Sequence, residues 1–245
     1  MRISGTRLGS SGQEAVALVL MHGLMGWHRK PRFATFAEDL ATLGFAVYAM
    51  DLRGHGRSAG VCTYGDLEIE DVDAVVRLAR DEGHSRIVTA GTSMGAISAI
   101  RHAALIGGVD EVVALSCLAS WDWYDGADPK AAARMKVRIG TPIGRGMLRV
   151  LGVRLPASWS EPEPPEELIG KISPTPVLLV HGRNDHLFAV DHALRLFEAA
   201  SEPKRLFLSD RFGHGEDGLD RTFAVRLAAW IREGLDGQAS PRRRS

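Results

Sequence analysis

Six short apolar runs recur along the chain, at Ala15–Met21, Ala46–Met50, Arg86–Ala90, Val112–Ser116, Val177–Val180 and Arg205–Leu208. Each is bounded by Gly, Pro, Asp or His and is too short for a helix, which reads as a buried strand. Between them, Phe33–Leu43, Leu67–Arg80, Met94–Ile106, Val190–Ala200 and Asp217–Ile231 carry helical spacing. Alternation of this kind predicts an α/β fold with a mostly parallel, doubly wound sheet covered by helices on both faces. Arg2–Leu8 is expected to add an antiparallel edge strand, turned by Gly9-Ser10-Ser11-Gly12.

The rhythm breaks once. From Leu118 to Pro174 no strand pattern appears, and aromatics, Arg, Gly and Pro become frequent. Helices are expected at Lys130–Ile139 and Gly144–Leu151, while Glu161-Pro162-Glu163-Pro164-Pro165 must run extended. The expected organisation is therefore a core from 1–117 and 175–235, an inserted cap at 118–174, and a flexible tail at 236–245 ending in three arginines. At 245 residues, one large domain is the default.

Lys plus Arg and Asp plus Glu both number 30, so the chain is formally neutral. No whole-chain field would draw in nucleic acid or an anionic membrane, and a small neutral molecule is the expected partner. The N-terminus lacks the apolar core of a signal peptide and no run approaches a bilayer's thickness, so a cytoplasmic location is expected. Cys62 and Cys117 form no disulfide framework and no metal spacing, and two incidental thiols are the simplest reading. Asp185-His186 and Asp191-His192 match no ligand pair, so neither a metal nor another cofactor is called for.

The chemistry concentrates at Ser93, in Gly91-Thr92-Ser93-Met94-Gly95 between a strand and a helix. Dinucleotide-binding folds also place glycines at such a turn, but G-x-G-x-x-G is not the spacing here. A serine hydroxyl is a weak nucleophile until a base takes its proton and an acid orients that base. His214 lies between glycines in a loop after a strand. His186 directly follows the candidate acid, and His192 falls in a predicted helix. Asp185 ends the loop after the strand Val177–Val180, with Asp122, Asp125 and Asp210 as competitors. The amide of Met94, at a helix N-terminus, is placed to hold a developing oxyanion, and a second amide is expected from His22-Gly23-Leu24-Met25-Gly26.

With these segments in order, and with Asp51-Leu52-Arg53-Gly54-His55-Gly56-Arg57-Ser58, the chain resembles the α/β-hydrolase superfamily, in its esterase, lipase and serine-aminopeptidase-like group. The resemblance spans most of Ala15–Gly234. It implies Ser93 as nucleophile on an elbow, His214 as base, Asp185 as orienting acid, and Leu24 with Met94 as the oxyanion hole. It makes His22 a loop organiser and Arg53 and His55 structural, and it places a variable cap at Leu118–Pro174. The implied activity is hydrolysis of a carboxylic ester of small to medium, apolar character through an acyl-enzyme. A thioesterase, an acyltransferase or a non-catalytic ligand-binding relative would carry the same groups. Trp121, Trp123, Tyr124 and Trp159 are candidates for the substrate wall, and pinning the cap to the body is their other reading.

Overall fold

The computed structural model describes residues 1–9, 16–121, 128–158 and 160–239. Seven strands form one sheet: β1 (Ser4–Leu8), β2 (Val16–Met21), β3 (Ala46–Asp51), β4 (Arg86–Thr92), β5 (Glu111–Leu115), β6 (Val177–Gly182) and β7 (Lys204–Ser209). Their order is β1-β3-β2-β4-β5-β6-β7. All neighbours are parallel except β1, which pairs antiparallel with β3. The expected edge strand is thus present; its proposed turn at 10–12 lies outside the described residues.

Strand alternation sorts the core onto two faces. From β2, Ala17, Val19 and Met21 point to one face and Leu18 and Leu20 to the other. The first face is covered by α2 (Glu68–Asp81), α3 (Met94–Leu105) and α7 (Val190–Ala199), the second by α1 (Pro31–Thr42) and α8 (Arg221–Ala239). Phe36 of α1 stacks on Phe223 of α8, with ring centroids 5.7 Å apart and planes 10° from parallel.

Topology sets the site's position. From β2 the chain moves outward to β3, then returns to place β4 on β2's other side, so the order reverses at the β2/β4 pair. A crevice opens above the carboxyl ends of strands at such a reversal. The loop after β2 and the turn after β4, where Leu24 and Ser93 lie, flank it; Met21 and Gly91 are register partners beneath.

Three expectations are corrected. The last helix starts at Arg221 instead of Asp217: Gly215–Gly218 is a 3-10 turn, and the Asp220 carboxylate accepts the Phe223 amide at 2.7 Å to cap the helix. That helix runs through Ala239, so the chain from Asp236 to Ala239 is helical and not a loose tail, anchored by buried Leu235. The insertion does contain α4 (Pro129–Gly140) and α5 (Pro142–Val150), but its last part packs into the body. There α6 (Pro165–Leu168) and the 3-10 turn Ile169–Ile172 lie against α3, and Ile169 and Ile172 join the main core. The proline strap before α6 is held by Trp121 Nε1, which donates to the Pro162 carbonyl at 2.7 Å, and by Arg101, which donates to the Glu163 carbonyl.

Because the α1–α8 seam closes one whole face of the sheet, Phe36→Ala should cost about 3–5 kcal/mol of unfolding free energy. Urea titration followed by circular dichroism measures this; a change of under roughly 1 kcal/mol, the range of an exposed site, would contradict the packing described.

Candidate active site

Ser93 caps the N-terminus of α3 with φ 52° and ψ −114°, a left-handed backbone that costs a non-glycine residue about 1–3 kcal/mol. Its amide donates to the Leu115 carbonyl of β5 at 2.8 Å, fixing the turn to the sheet. The turn is tight enough that its glycines are obligatory. A Cβ on Gly91 would sit 2.2 Å from the Gly95 backbone, and one on Gly95 would lie 2.6 Å from the Met21 carbonyl oxygen. The strand, the elbow and the β2 loop therefore meet backbone to backbone, and the Ser93 side chain projects into the crevice.

The structure brings the three predicted residues into one hydrogen-bonded chain. Ser93 Oγ lies 3.0 Å from His214 Nε2. His214 Nδ1 meets Asp185 Oδ1 and Oδ2 at 3.0 and 2.9 Å. Asp185 is buried, which by itself raises its pKa, yet hydrogen bonds from His214 and from the Phe188 amide bring it below the usual carboxylate value. Leu187 and Phe188 amides both donate to Oδ1 at 2.9 Å, so the anion is solvated by backbone instead of water. The carboxylate can thus fix the imidazole with Nδ1 protonated and Nε2 free to accept from Ser93.

Neighbouring groups lock this geometry. The Phe188 ring packs edge-on against His214 at 4.8 Å and 87°. Asp217 Oδ2 accepts the His214 amide at 3.1 Å, and Ser116 Oγ accepts the Gly215 amide at 3.0 Å. Phe188, Leu187 and Ser116 were not singled out from the sequence. Ser116 has left-handed backbone (φ 49°), which no pattern of residue types announces. Leu187 and Phe188 do follow the acid directly, but nothing marks their amides as donors.

The alternatives fall elsewhere. Asp210 is an exposed partner of Arg183 at 3.3 Å. Asp122 and Asp125 lie outside the described residues, as do Trp123, Tyr124 and Trp159. His192 is buried and accepts the Ala119 amide at 3.1 Å. The His186 ring lies 5.9 Å from the His214 ring, centroid to centroid, on the cavity wall.

That cavity holds about 650 Å³ above Ser93. Leu24, Met94 and Trp121 line it, together with Ile97, Leu118, Phe188 and, from α4, Met135 and Ile139. Its lining also carries charge: Lys30 pairs with Glu216 at 2.8 Å, and Lys136, Arg145 and Asp217 are part of the wall. Below the β2 loop, His22 Nδ1 donates to the Gly23 carbonyl at 2.8 Å and its Nε2 accepts the Leu52 amide at 3.1 Å, so both nitrogens serve the backbone. His55 faces the Leu24 and Arg53 carbonyls at 2.7 and 3.0 Å. Arg53 is clasped by Asp71 and Glu70, both at 2.8 Å. Among the described residues, no group of three or more His, Cys, Asp or Glu is arranged to hold a metal ion, and both cysteines are buried and unbridged.

This sheet order, with a serine on a strained turn after its central strand, defines an α/β-hydrolase. A model of the family described as serine aminopeptidase, S33, matches residues 12–159, and the chain belongs to that family. Over 205 residues it is 30% identical to YfhR, an uncharacterized protein of Escherichia coli O157:H7, a match that covers 79% of this chain. The chain spans 63% of the length of that relative. Among solved structures, the esterase Pf2001 of Pyrococcus furiosus superposes with a TM-score of 0.73 at 22% identity, covering 96% of this chain and 92% of its own. The monoacylglycerol lipase of Paleococcus ferrophilus superposes with a TM-score of 0.66 at 20% identity, covering 96% and 100%. Both share the fold.

Burial, with the neighbouring His55 adding to it, pushes the His22 pKa down from 6.5 to about 3. Between those values the unfolded chain binds a proton that the folded chain refuses, so stability falls on acidification. His55, His102 and His181, each lowered by burial, act in the same direction. Glu111, whose pKa burial raises to about 8, works the other way; the His22 contribution to stability, read from urea midpoints measured from pH 7 to 5, is a drop of up to about 1.4 kcal/mol per pH unit below 6.5. His22→Gln should remove that drop; an unchanged pH dependence would mean the ring is not buried neutral.

Proposed function

We propose that the protein is a serine hydrolase that cleaves a carboxylic ester of a small to medium, apolar substrate. The observation that carries this reading is the Ser93–His214–Asp185 hydrogen-bonded chain at the floor of an apolar cavity.

In this reading His214 Nε2 takes the proton from Ser93 Oγ as the oxygen attacks the ester carbonyl, and Asp185 stabilises the imidazolium without taking a proton itself. The oxyanion of the tetrahedral intermediate is held by the Leu24 and Met94 amides. The first-turn amides of a helix have no intrahelical acceptor, so Met94 N–H is available and the helix dipole adds to its field. His214 then gives its proton to the departing alcohol, leaving an acyl group on Ser93. Water attacks that acyl group while His214 takes one of its protons, and the acid leaves as Ser93 regains its hydrogen.

An ester fits the cavity better than an aminopeptidase substrate would. A free α-ammonium needs an uncommitted carboxylate, and those among the described lining residues are engaged: Glu216 with Lys30, and Asp217 with the His214 amide. The apolar part of the wall, with Trp121, Phe188, Met135 and Ile139, favours an apolar acyl or aryl group.

A fluorophosphonate probe should label Ser93 stoichiometrically, and p-nitrophenyl esters should give a burst of nitrophenol that is lost in Ser93→Ala. Absence of labelling in folded protein would overturn the reading. Asp185→Asn should lower kcat by about 10⁴-fold by favouring the wrong tautomer. Trp121→Ala should reduce kcat/KM for bulky acyl groups by about 10- to 200-fold while leaving the acetyl ester nearly unaffected; equal losses across acyl sizes would place Trp121 outside substrate contact.

A further inference from the structure

The chain's neutrality hides a segregated charge. Residues 129–160 contain seven Lys or Arg and no Asp or Glu, and they build α4, α5 and the segment behind them. Lys130, Arg134, Lys136, Arg138 and Arg149 are exposed, with Arg134 reaching toward Asp128 at 3.8 Å.

The same hairpin turns large apolar side chains outward. On α5, Ile143, Met147 and Val150, with Leu151 at its end, are 80%, 62%, 88% and 60% exposed. Their spacing places them on one stripe, adjacent to the Gly144 and Leu148 positions that pack inward. Val137 of α4 is also exposed. A water-facing apolar stripe beside a predominantly basic surface, with Asp128 as an acidic neighbour, calls for a partner that supplies both hydrocarbon and negative charge.

A second copy of the chain meets the first requirement and fails the second. Two-fold contact places the same patch on itself, basic against basic. An anionic phospholipid bilayer meets both: apolar side chains enter the acyl boundary while Lys and Arg remain among phosphate head groups. The hairpin's position agrees. Met135, Lys136 and Ile139 of α4 and Arg145 of α5 line the cavity above Ser93, so the docking stripe and the cavity mouth belong to one pair of helices.

We propose that α4 and α5 form an interfacial docking surface for anionic phospholipid bilayers, seating the cavity mouth at the lipid surface. Whole-chain neutrality argued against a membrane partner because it averages this surface with an acidic remainder. Among the described residues no helix is long and apolar enough to cross a membrane. Docking itself is independent of the hydrolase reading; delivery of a lipid ester to Ser93 rests on it.

The test is flotation of the full chain with vesicles of phosphatidylcholine alone or of an equimolar mixture with phosphatidylglycerol. Binding to the anionic vesicles should be at least about tenfold stronger and should fall at high ionic strength. The exposed-residue variants I143S/M147S/V150S and K130E/R134E/R149E should each lose that preference while keeping the thermal midpoint and the hydrolysis of a soluble short-chain ester. The Ser93→Ala protein should bind vesicles as the parent does, and a chain inactive on every ester that still binds would sink the hydrolase reading and leave the docking surface standing. Equal binding to both vesicle types, undiminished binding by the variants, or a concentration-dependent dimer abolished by I143S/M147S/V150S would overturn the proposal.

Discussion

Ser93 is held in a backbone conformation that an L-residue avoids, and the site is built around the contacts that impose it. The strain, about 1–3 kcal/mol, is offset because the turn is fixed from several sides. The Ser93 amide is bound to β5, Ala96 and Ile97 amides return to the Ser93 carbonyl, and the Gly91–Gly95 approach closes the loop. Relaxing φ to an ordinary value would break the bond to Leu115 and aim the hydroxyl away from the crevice. Strain and placement are the same fact: the geometry that raises the local energy also carries Oγ to 3.0 Å from His214.

The distant partners reach this turn because sheet order converts sequence separation into adjacency. Asp185 follows β6 and His214 follows β7, neighbouring strands whose loops emerge at the same edge. A close backbone approach seals them: a Cβ on Gly182 would lie 2.4 Å from the Phe212 carbonyl oxygen, so a side chain there would push the histidine loop off the acid loop. Buried polar residues fulfil the matching role under the β2 loop. Asp51 Oδ1 accepts from the His28 amide and from His28 Nδ1, both at 2.7 Å, and Oδ2 accepts the Arg57 amide at 3.0 Å. Those bonds bring its pKa down to about 2 although burial opposes the shift. The Asp51–Ser58 segment is therefore a clamp that shapes the loop bearing Leu24, with His55 touching the Leu24 carbonyl directly.

Legibility in the sequence follows from the range of the interactions involved. The strands were readable because burial on both faces leaves near-continuous apolar runs, and Ser93 because glycine is forced on both sides of its turn. His214 and Asp185 followed from strand-end placement, which is a property of topology more than of local chemistry. What could not be read depends on three-dimensional packing. Helix spacing continues through Asp217, so the Asp220 cap that delays α8 was invisible. Ile169 and Ile172 carry no mark showing that they return to the body instead of staying with the cap. Phe188 gives its amide to Asp185 and its ring to His214 with no motif at all.

The α4–α5 hairpin differs from the other helices in how its apolar residues are used. In the body, helices turn an apolar face to the sheet, and the large apolar residues they expose are scattered: Leu78 of α2, Leu105 of α3, Leu194 of α7 and Val225 of α8. In α5 the inward positions are filled by Gly144 and Leu148, while a second set of large apolar residues remains on the outside. Folding gains nothing from Ile143 or Val150 in that position, and hydration disfavours them. Such residues make physical sense where the surrounding medium is not uniformly water, and the α4–α5 hairpin that bears them also walls the cavity over Ser93.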